Sequence, residues 1–150
     1  MQWKKYMAPP VVPALSIIPP IVMGLVIGAY EALLIHRDVQ VASHRFMHTL
    51  HAFALAIAAC FFSFNIPLVY VLIPQLKGVF LVGSEVGVRV ILGLIMTAKV
   101  HGVSAALKGS GMSTAGLQET WFHSLLIGAL TAASPYLFPF AQPFLPKWVK

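Results

Sequence analysis

Four apolar stretches, each long enough to cross a lipid bilayer as a helix, are the feature that most limits how this chain can fold. They cover residues 11–35, 44–66, 79–100 and 117–138. A helix needs about 20 predominantly apolar residues to cross a hydrocarbon core of about 30 Å. The pattern therefore predicts an all-α integral membrane protein, a compact bundle of four transmembrane helices that forms one domain over residues 1–150.

The composition supports lipid as the solvent for most of the surface. Apolar residues make up 59% of the chain and charged residues only 9%, whereas a soluble domain carries about 25% charged residues. The net charge of +6 comes from basic residues scattered near the ends of the stretches. Such flanking charges are typical of contact with anionic lipid headgroups. We therefore expect the lipid bilayer as a partner and no nucleic acid.

Prolines predict where the helices are interrupted. Pro19 and Pro20 lie inside the first stretch and should either kink it or begin its regular helix. The second apolar run continues to residue 74, which is too long for one straight helix. Asn65 and Pro67 should therefore mark a kink or an end in the second stretch.

Small residues spaced four apart predict close packing between helices. In lipid, helices associate through packing rather than through hydrophobicity, and small residues let their backbones approach. This packing serves either the bundle itself or an interface with a second copy or another subunit of a membrane complex. The three rows are Gly24 with Gly28, Gly83 with Gly87, and Ser124 with Gly128 and Ala132.

An even number of spans places both termini on one side of the membrane. We call that side face A and the opposite side face B. The basic side chains near the two faces are nearly balanced, so the positive-inside rule only weakly favours cytoplasmic termini for a multi-pass protein of the cell membrane. Face A is assigned Lys4, Lys5, Lys77, Lys147 and Lys150, and face B is assigned Arg37, Arg45, Lys99 and Lys108.

All six histidines fall at face B in this topology, which is the strongest functional signal. On a helix, His44, His48 and His51 of SHRFMHTLH lie within an arc of about 60°. The other three spans also carry potential ligands near face B. The full set predicted for a metal site is Glu31, His44, His48, His51, His101, Glu119 and His123.

Imidazole and carboxylate groups from facing helices suit several kinds of chemistry. They are the ligands with which helical bundles hold transition metals. Two histidines on different spans are also suited to bind haem as axial ligands. Because imidazole titrates near neutral pH, the same residues suit proton transfer. A transition metal, haem and the absence of a cofactor are therefore all compatible with these residues.

A second functional signal is the pair Glu85 and Arg89 in the third stretch. They are four residues apart, with the acid N-terminal to the base, which favours an ion pair on one helix face. The predicted span places Arg89 near the middle of the bilayer, where ionisable residues are costly and commonly functional. We expect Glu85, Arg89 and Asn65 to form a gate or part of a polar pathway.

Three functions are compatible with these patterns. The first is a small transporter or channel for an ion, a metal cation or one coupled to protons, with a vestibule of His and Glu at face B. The second is a haem- or metal-binding redox or metalloenzyme subunit, and the third is a non-catalytic subunit of a larger membrane complex. No P-loop, GxSxG or CxxC motif occurs in the sequence, so enzyme activity is undecided.

Overall fold

The computed structural model describes residues 12–38, 42–109 and 121–147, with side chains described for residues 12–36, 46–102 and 121–147. This part of the chain is all-helical, with short turns between the helices. Short 3-10 helices cover Pro74–Gly78 and Gln142–Phe144. The α-helices are α1 (Ile18–Asp38), α2 (Ala42–Phe64), α3 (Ile66–Leu72), α4 (Glu85–Gly109) and α5 (Trp121–Ala141).

The long helices form two antiparallel pairs, α1 with α2 and α4 with α5, and α2 and α5 each contact all the other long helices. Glycines set the spacing in the first pair. A Cβ at Gly24 would lie 2.5 Å from the Ile57 Cα, and one at Gly28 would lie 2.9 Å from the Phe53 Cα. The predicted close packing at Gly24 and Gly28 is therefore confirmed, and it lies within the chain.

The second pair also meets at glycines. A Cβ at Gly93 would lie 2.8 Å from the carbonyl oxygen of Gly128, and one at Gly128 would overlap the Thr97 hydroxyl. The row around Gly128 thus packs α5 against α4. The row of Gly83 and Gly87 does not pack against another helix, because the nearest atoms to both glycines belong to residues 77–84, directly before α4.

A small apolar core joins all four long helices at the centre of the bundle. It contains no aromatic residue, and three of its eight buried members are Ala or Cys, whose small side chains suit helices that approach closely. Large apolar residues such as Leu33, Leu94 and Phe122 are exposed on the outside. The core consists of Met23, Ile27, Ala56, Ala59, Cys60, Met96, Val100 and Ile127.

Three helical segments are long and apolar enough to cross a membrane, namely Ile18–His36, Phe46–Phe64 and Trp121–Phe144. They indicate a multi-pass membrane protein whose exposed apolar side chains contact lipid. The structure does not confirm a fourth span. The described side chains of α4 include three charged ones, those of Glu85, Arg89 and Lys99, and the membrane crossing of α4 stays a prediction.

The start of α4 differs from the predicted start of the third span at residue 79. Residues 79–84 form turns, and the helix begins at Glu85. The Ser84 hydroxyl accepts a hydrogen bond from the Gly87 N–H at 3.0 Å, as expected of an N-terminal capping residue. Arg89 therefore lies about one turn inside the start of the helix.

The prolines of the first two stretches start helices rather than kink them. Pro19 and Pro20 lie in the first turn of α1, where a missing N–H costs nothing. Likewise, α2 ends at Phe64, Asn65 forms a turn, and Pro67 lies in the first turn of α3. Of the predicted alternatives, Pro19 and Pro20 therefore begin the regular helix, and Asn65 and Pro67 mark an end of the second stretch rather than a kink.

The last helix continues through two prolines, and so extends beyond its predicted end at residue 138. Pro135 and Pro139 lie inside α5. Pro135 has no N–H for the carbonyl of Thr131, but the Ser134 hydroxyl donates to that carbonyl at 2.8 Å. The predicted start at residue 117 lies outside the described residues.

Candidate functional site

A cavity of about 590 Å³ lies at the face B end of the bundle. Its walls come from the last turns of α1, from residues 48–58 of α2 and from residues 99–100 of α4. Its polar side chains are those of Glu31, His48, His51 and Lys99. The rest of the lining is apolar and consists of Ile35, Ala52, Ala54, Leu55, Ala58 and Val100.

Helix geometry explains why these residues meet. His48 and His51 are three residues apart on α2 and point to the same side. The close approach of Gly28 to Phe53 holds α1 against α2, and Glu31 follows one turn later on α1. Several alanines on α2 occupy little volume. The space between the helices is therefore left open rather than filled by side chains.

The hydrogen bonding of His51 fixes which of its ring nitrogens is available. Nδ1 lies 3.0 Å from the carbonyl oxygen of Met47. A carbonyl oxygen only accepts, so Nδ1 must carry the hydrogen. In the neutral ring, Nε2 then keeps its lone pair, as it does in histidines that bind metals or accept protons. His51 is exposed, so this nitrogen can be reached from outside the protein.

The structure brings together three of the seven residues predicted for the metal site. Glu31, His48 and His51 line the cavity. Two others lie elsewhere. His101 stacks on Trp121 with ring centroids 3.7 Å apart. The rings of His123 and Phe122 are nearly perpendicular, with centroids 5.9 Å apart.

The last two predicted ligands, Glu119 and the side chain of His44, lie outside the described part of the chain. Among the side chains that are described, no three of His, Cys, Asp or Glu are arranged to hold a metal ion. Metal binding therefore stays a prediction. Lys99 was not predicted as a site residue, although its position two residues before His101 placed it at the same depth.

At face A, Arg89 is buried and bonded through all three of its nitrogen atoms. Nη2 donates to the Glu85 carboxylate at 2.8 Å, Nη1 to the Tyr136 hydroxyl at 2.8 Å, and Nε to the carbonyl of Ser63 at 3.4 Å. The Arg89 side chain is 8% exposed and that of Glu85 is 43% exposed. The predicted ion pair within α4 is therefore confirmed, and the other two bonds of Arg89 join α4 to α2 and α5.

The depth of Arg89 differs from the prediction. It lies level with Ser63, next to the last residue of α2, and with Tyr136, in the second half of α5. Three helices thus place Arg89 nearer face A than the middle of the bundle. The cause is the late start of α4, because the span had been counted from residue 79. The gating role stays a prediction.

Asn65, the third residue of the predicted pathway, joins the segment before α1 to the end of α2. Its Oδ1 accepts from the Ser16 N–H at 2.8 Å. Its Nδ2 donates to the carbonyl of Ser16 at 2.9 Å and to that of Phe61 at 2.8 Å. These bonds satisfy the buried amide of Asn65 and hold the segment before α1 against the end of α2, so we call them the Asn65 clamp.

Tyr70 fastens the turn before α4 by donating its hydroxyl to the carbonyl of Val82 at 2.6 Å. Burial raises the pKa of Tyr70, and the Glu85 carboxylate raises it further, while Arg89 lowers it. The phenol therefore stays protonated at neutral pH and remains a hydrogen-bond donor.

Buried hydroxyl groups lie between the cavity and Arg89. Thr97 and Thr131 donate to carbonyls of their own helices, at 2.9 and 2.8 Å. Such bonds satisfy a hydroxyl within a helix in lipid. The hydroxyls of Ser63 and Ser124 are fully buried and have no hydrogen-bond partner among the described residues.

Comparison with known proteins does not assign the chain to a family. It matches no protein-family model, no curated protein and no solved structure. The features of the chain that bear on its function are therefore the cavity, the buried hydroxyls and the ion pair at face A.

Proposed function

We propose that the protein is a small multi-pass membrane transporter or channel for a cation, and that the cation enters through the cavity at face B. The observation that carries the proposal is the meeting of Glu31, His48 and His51, from two helices, in one cavity of about 590 Å³. A carboxylate and two imidazoles attract cations and accept protons.

Among cations, the proton fits this cavity best. Lys99 places a positive charge in the same lining, which opposes a divalent metal ion at this site. A proton needs no ligand set, only groups that bind and release it. The available Nε2 of His51 is such a group, because its other ring nitrogen is held by the carbonyl of Met47.

The buried hydroxyls support a route onward from the cavity. Thr97 lies less than one turn from Val100, which lines the cavity. Towards face A, the Ser63 hydroxyl is buried beside the carbonyl that Arg89 binds. Because the described residues leave this hydroxyl and that of Ser124 without a partner, both have capacity to bond to water in a proton path.

Proton flux into liposomes tests the proposal. Purified protein is reconstituted with a pH-sensitive dye inside the vesicles, and a pH gradient is imposed. We expect wild-type protein to dissipate the gradient faster than empty vesicles do. The double variant His48→Ala/His51→Ala should reduce this flux to the rate of empty vesicles.

His36→Ala is the matched control. His36 is exposed, its Nδ1 contacts the carbonyl of Ala32 at 3.3 Å, and it does not line the cavity. This variant should keep the wild-type flux. If wild-type vesicles behave as empty ones, the proton proposal is wrong. If the double variant keeps full flux, the cavity is not the entrance. A parallel assay with a zinc-sensitive dye shows whether a metal cation crosses instead.

A further inference from the structure

The turn between the 3-10 helix Pro74–Gly78 and α4 exposes apolar side chains to an unusual degree. Phe80 is 89% exposed, Val79 is 49% and Leu81 is 47% exposed. Residues 79–84 read VFLVGS and contain no charged residue. A turn in water is normally rich in polar residues. This segment has the side chains of a lipid-facing surface without being a helix.

Most backbone N–H groups of this segment are hydrogen-bonded to carbonyls of the turn or of the 3-10 helix before it. Four of its six N–H groups, those of residues 79 and 82–84, donate to nearby carbonyls at 2.7 to 3.4 Å. The carbonyl of Leu81 also accepts from the Ser84 hydroxyl at 3.4 Å, and that of Val82 accepts from Tyr70 at 2.6 Å. Internal bonding of this kind is what a lipid environment requires of a backbone.

Two glycines hold the turn in this compact form. A Cβ at Gly83 would lie 2.5 Å from the carbonyl oxygen of Lys77, and one at Gly87 would overlap the carbonyl oxygen of Leu81. Leu81 itself has a φ of 65°, which is unfavourable for a residue other than glycine. The backbone is therefore strained at Leu81. The side chains of Phe80 and Leu81 lie on the outer surface of the turn.

We infer that residues 79–84 are inserted into the membrane interface at face A, with Phe80 among the lipid acyl chains. Lys77 precedes the segment by two residues and is exposed. Its charge is placed to contact anionic headgroups while Phe80 lies deeper. The same end of the bundle exposes Phe140 and Phe144, at 75% and 89%, as expected of a belt of aromatic residues at a membrane boundary.

Spin labels at single cysteines test this insertion in the full chain in liposomes. Cys60, which is buried, is first replaced by Ala. Labels are then attached to Phe80→Cys and, as a second probe of the segment, Val79→Cys. Leu25→Cys, exposed in the middle of the span Ile18–His36, is the reference for lipid, and Gln75→Cys, in the preceding 3-10 helix, is the reference for water. The label's collision rate with oxygen reports lipid, and its collision rate with a water-soluble nickel chelate reports water.

We expect labels at Phe80 and Val79 to collide severalfold more with oxygen, relative to the chelate, than the label at Gln75 does. The ratio at Phe80 should approach that at Leu25. Chelate collisions at Phe80 equal to those at Gln75 would overturn the inference, because the turn would then lie in water. Strong dipolar coupling between Phe80 labels would also overturn it, because a second copy would then cover the turn.

Unchanged elution and helical content confirm that each labelled variant is folded. The exposure of Phe80 means that its replacement removes few contacts.

Discussion

Face A and face B both place polar side chains between the helices, but these side chains have different surroundings. At face A, Arg89 and Asn65 are buried and bonded to groups on neighbouring elements. At face B, Glu31, His48 and His51 line an open cavity, and the Nδ1 bond of His51 stays within its own helix. Polar residues at face A therefore join neighbouring elements of the bundle, whereas those at face B line an open cavity.

The substitution Arg89→Ala tests whether the polar residues at face A stabilise the bundle, and we expect it to cause the largest loss of stability. It removes bonds to Glu85, Tyr136 and the carbonyl of Ser63. The free energy of unfolding should fall by about 3 kcal/mol, near the lower limit for breaking a buried ion pair, because Glu85 is partly exposed and can be solvated. Unfolding by SDS in mixed micelles measures the change.

Lys77→Ala is the control for Arg89→Ala, since Lys77 is an exposed cation at the same end of the bundle. It should change the stability by less than about 0.5 kcal/mol. Equal effects of the two substitutions would mean that the Arg89 network does not stabilise the bundle, and the proposed division between the two faces would fail.

The second substitution, Asn65→Ala, should have an intermediate effect. It removes three hydrogen bonds, two of which hold Ser16 against the end of α2. At about 0.5 to 1.5 kcal/mol for each bond, with some water entering, the expected loss is about 2 kcal/mol. Faster proteolysis before α1 should accompany this loss. Gln75→Ala, at an exposed polar residue nearby, is the matched control, and a similar result for both would contradict the clamp.

The sequence predicts the helical class because long apolar runs leave few alternatives in lipid. It fails at the start of α4, where the run VFLVG is as apolar as a helix but is held as a turn by Tyr70 and two glycines. It also fails at the end of α5, because the helix continues through Pro139 to Ala141. The first error arises from side-chain and backbone contacts that hydropathy does not contain.

For the candidate site, topology predicts more than the local motif does. Antiparallel helices return to the same end, so counting spans places Glu31 near His48 and His51. The stripe in SHRFMHTLH does not reveal that His101 stacks on Trp121 or that Lys99 lines the cavity. Those outcomes depend on helix rotation, which one sequence leaves open. The depth of Arg89 was wrong for a simpler reason, since it followed from the misplaced start of α4.

The substitution His51→Ala should change the stability least. It tests whether a cavity histidine at face B contributes to flux rather than to the fold. His51 is exposed, and its Nδ1 bond runs to Met47 in the same helix. Its loss should therefore cost no more than about 0.5 kcal/mol, although flux should fall. His36→Ala removes the same kind of local bond outside the cavity and should match it in stability while keeping the flux. If His51→Ala destabilises the protein as much as Arg89→Ala does, then the cavity histidine supports the fold, and the loss of flux no longer indicates proton transfer.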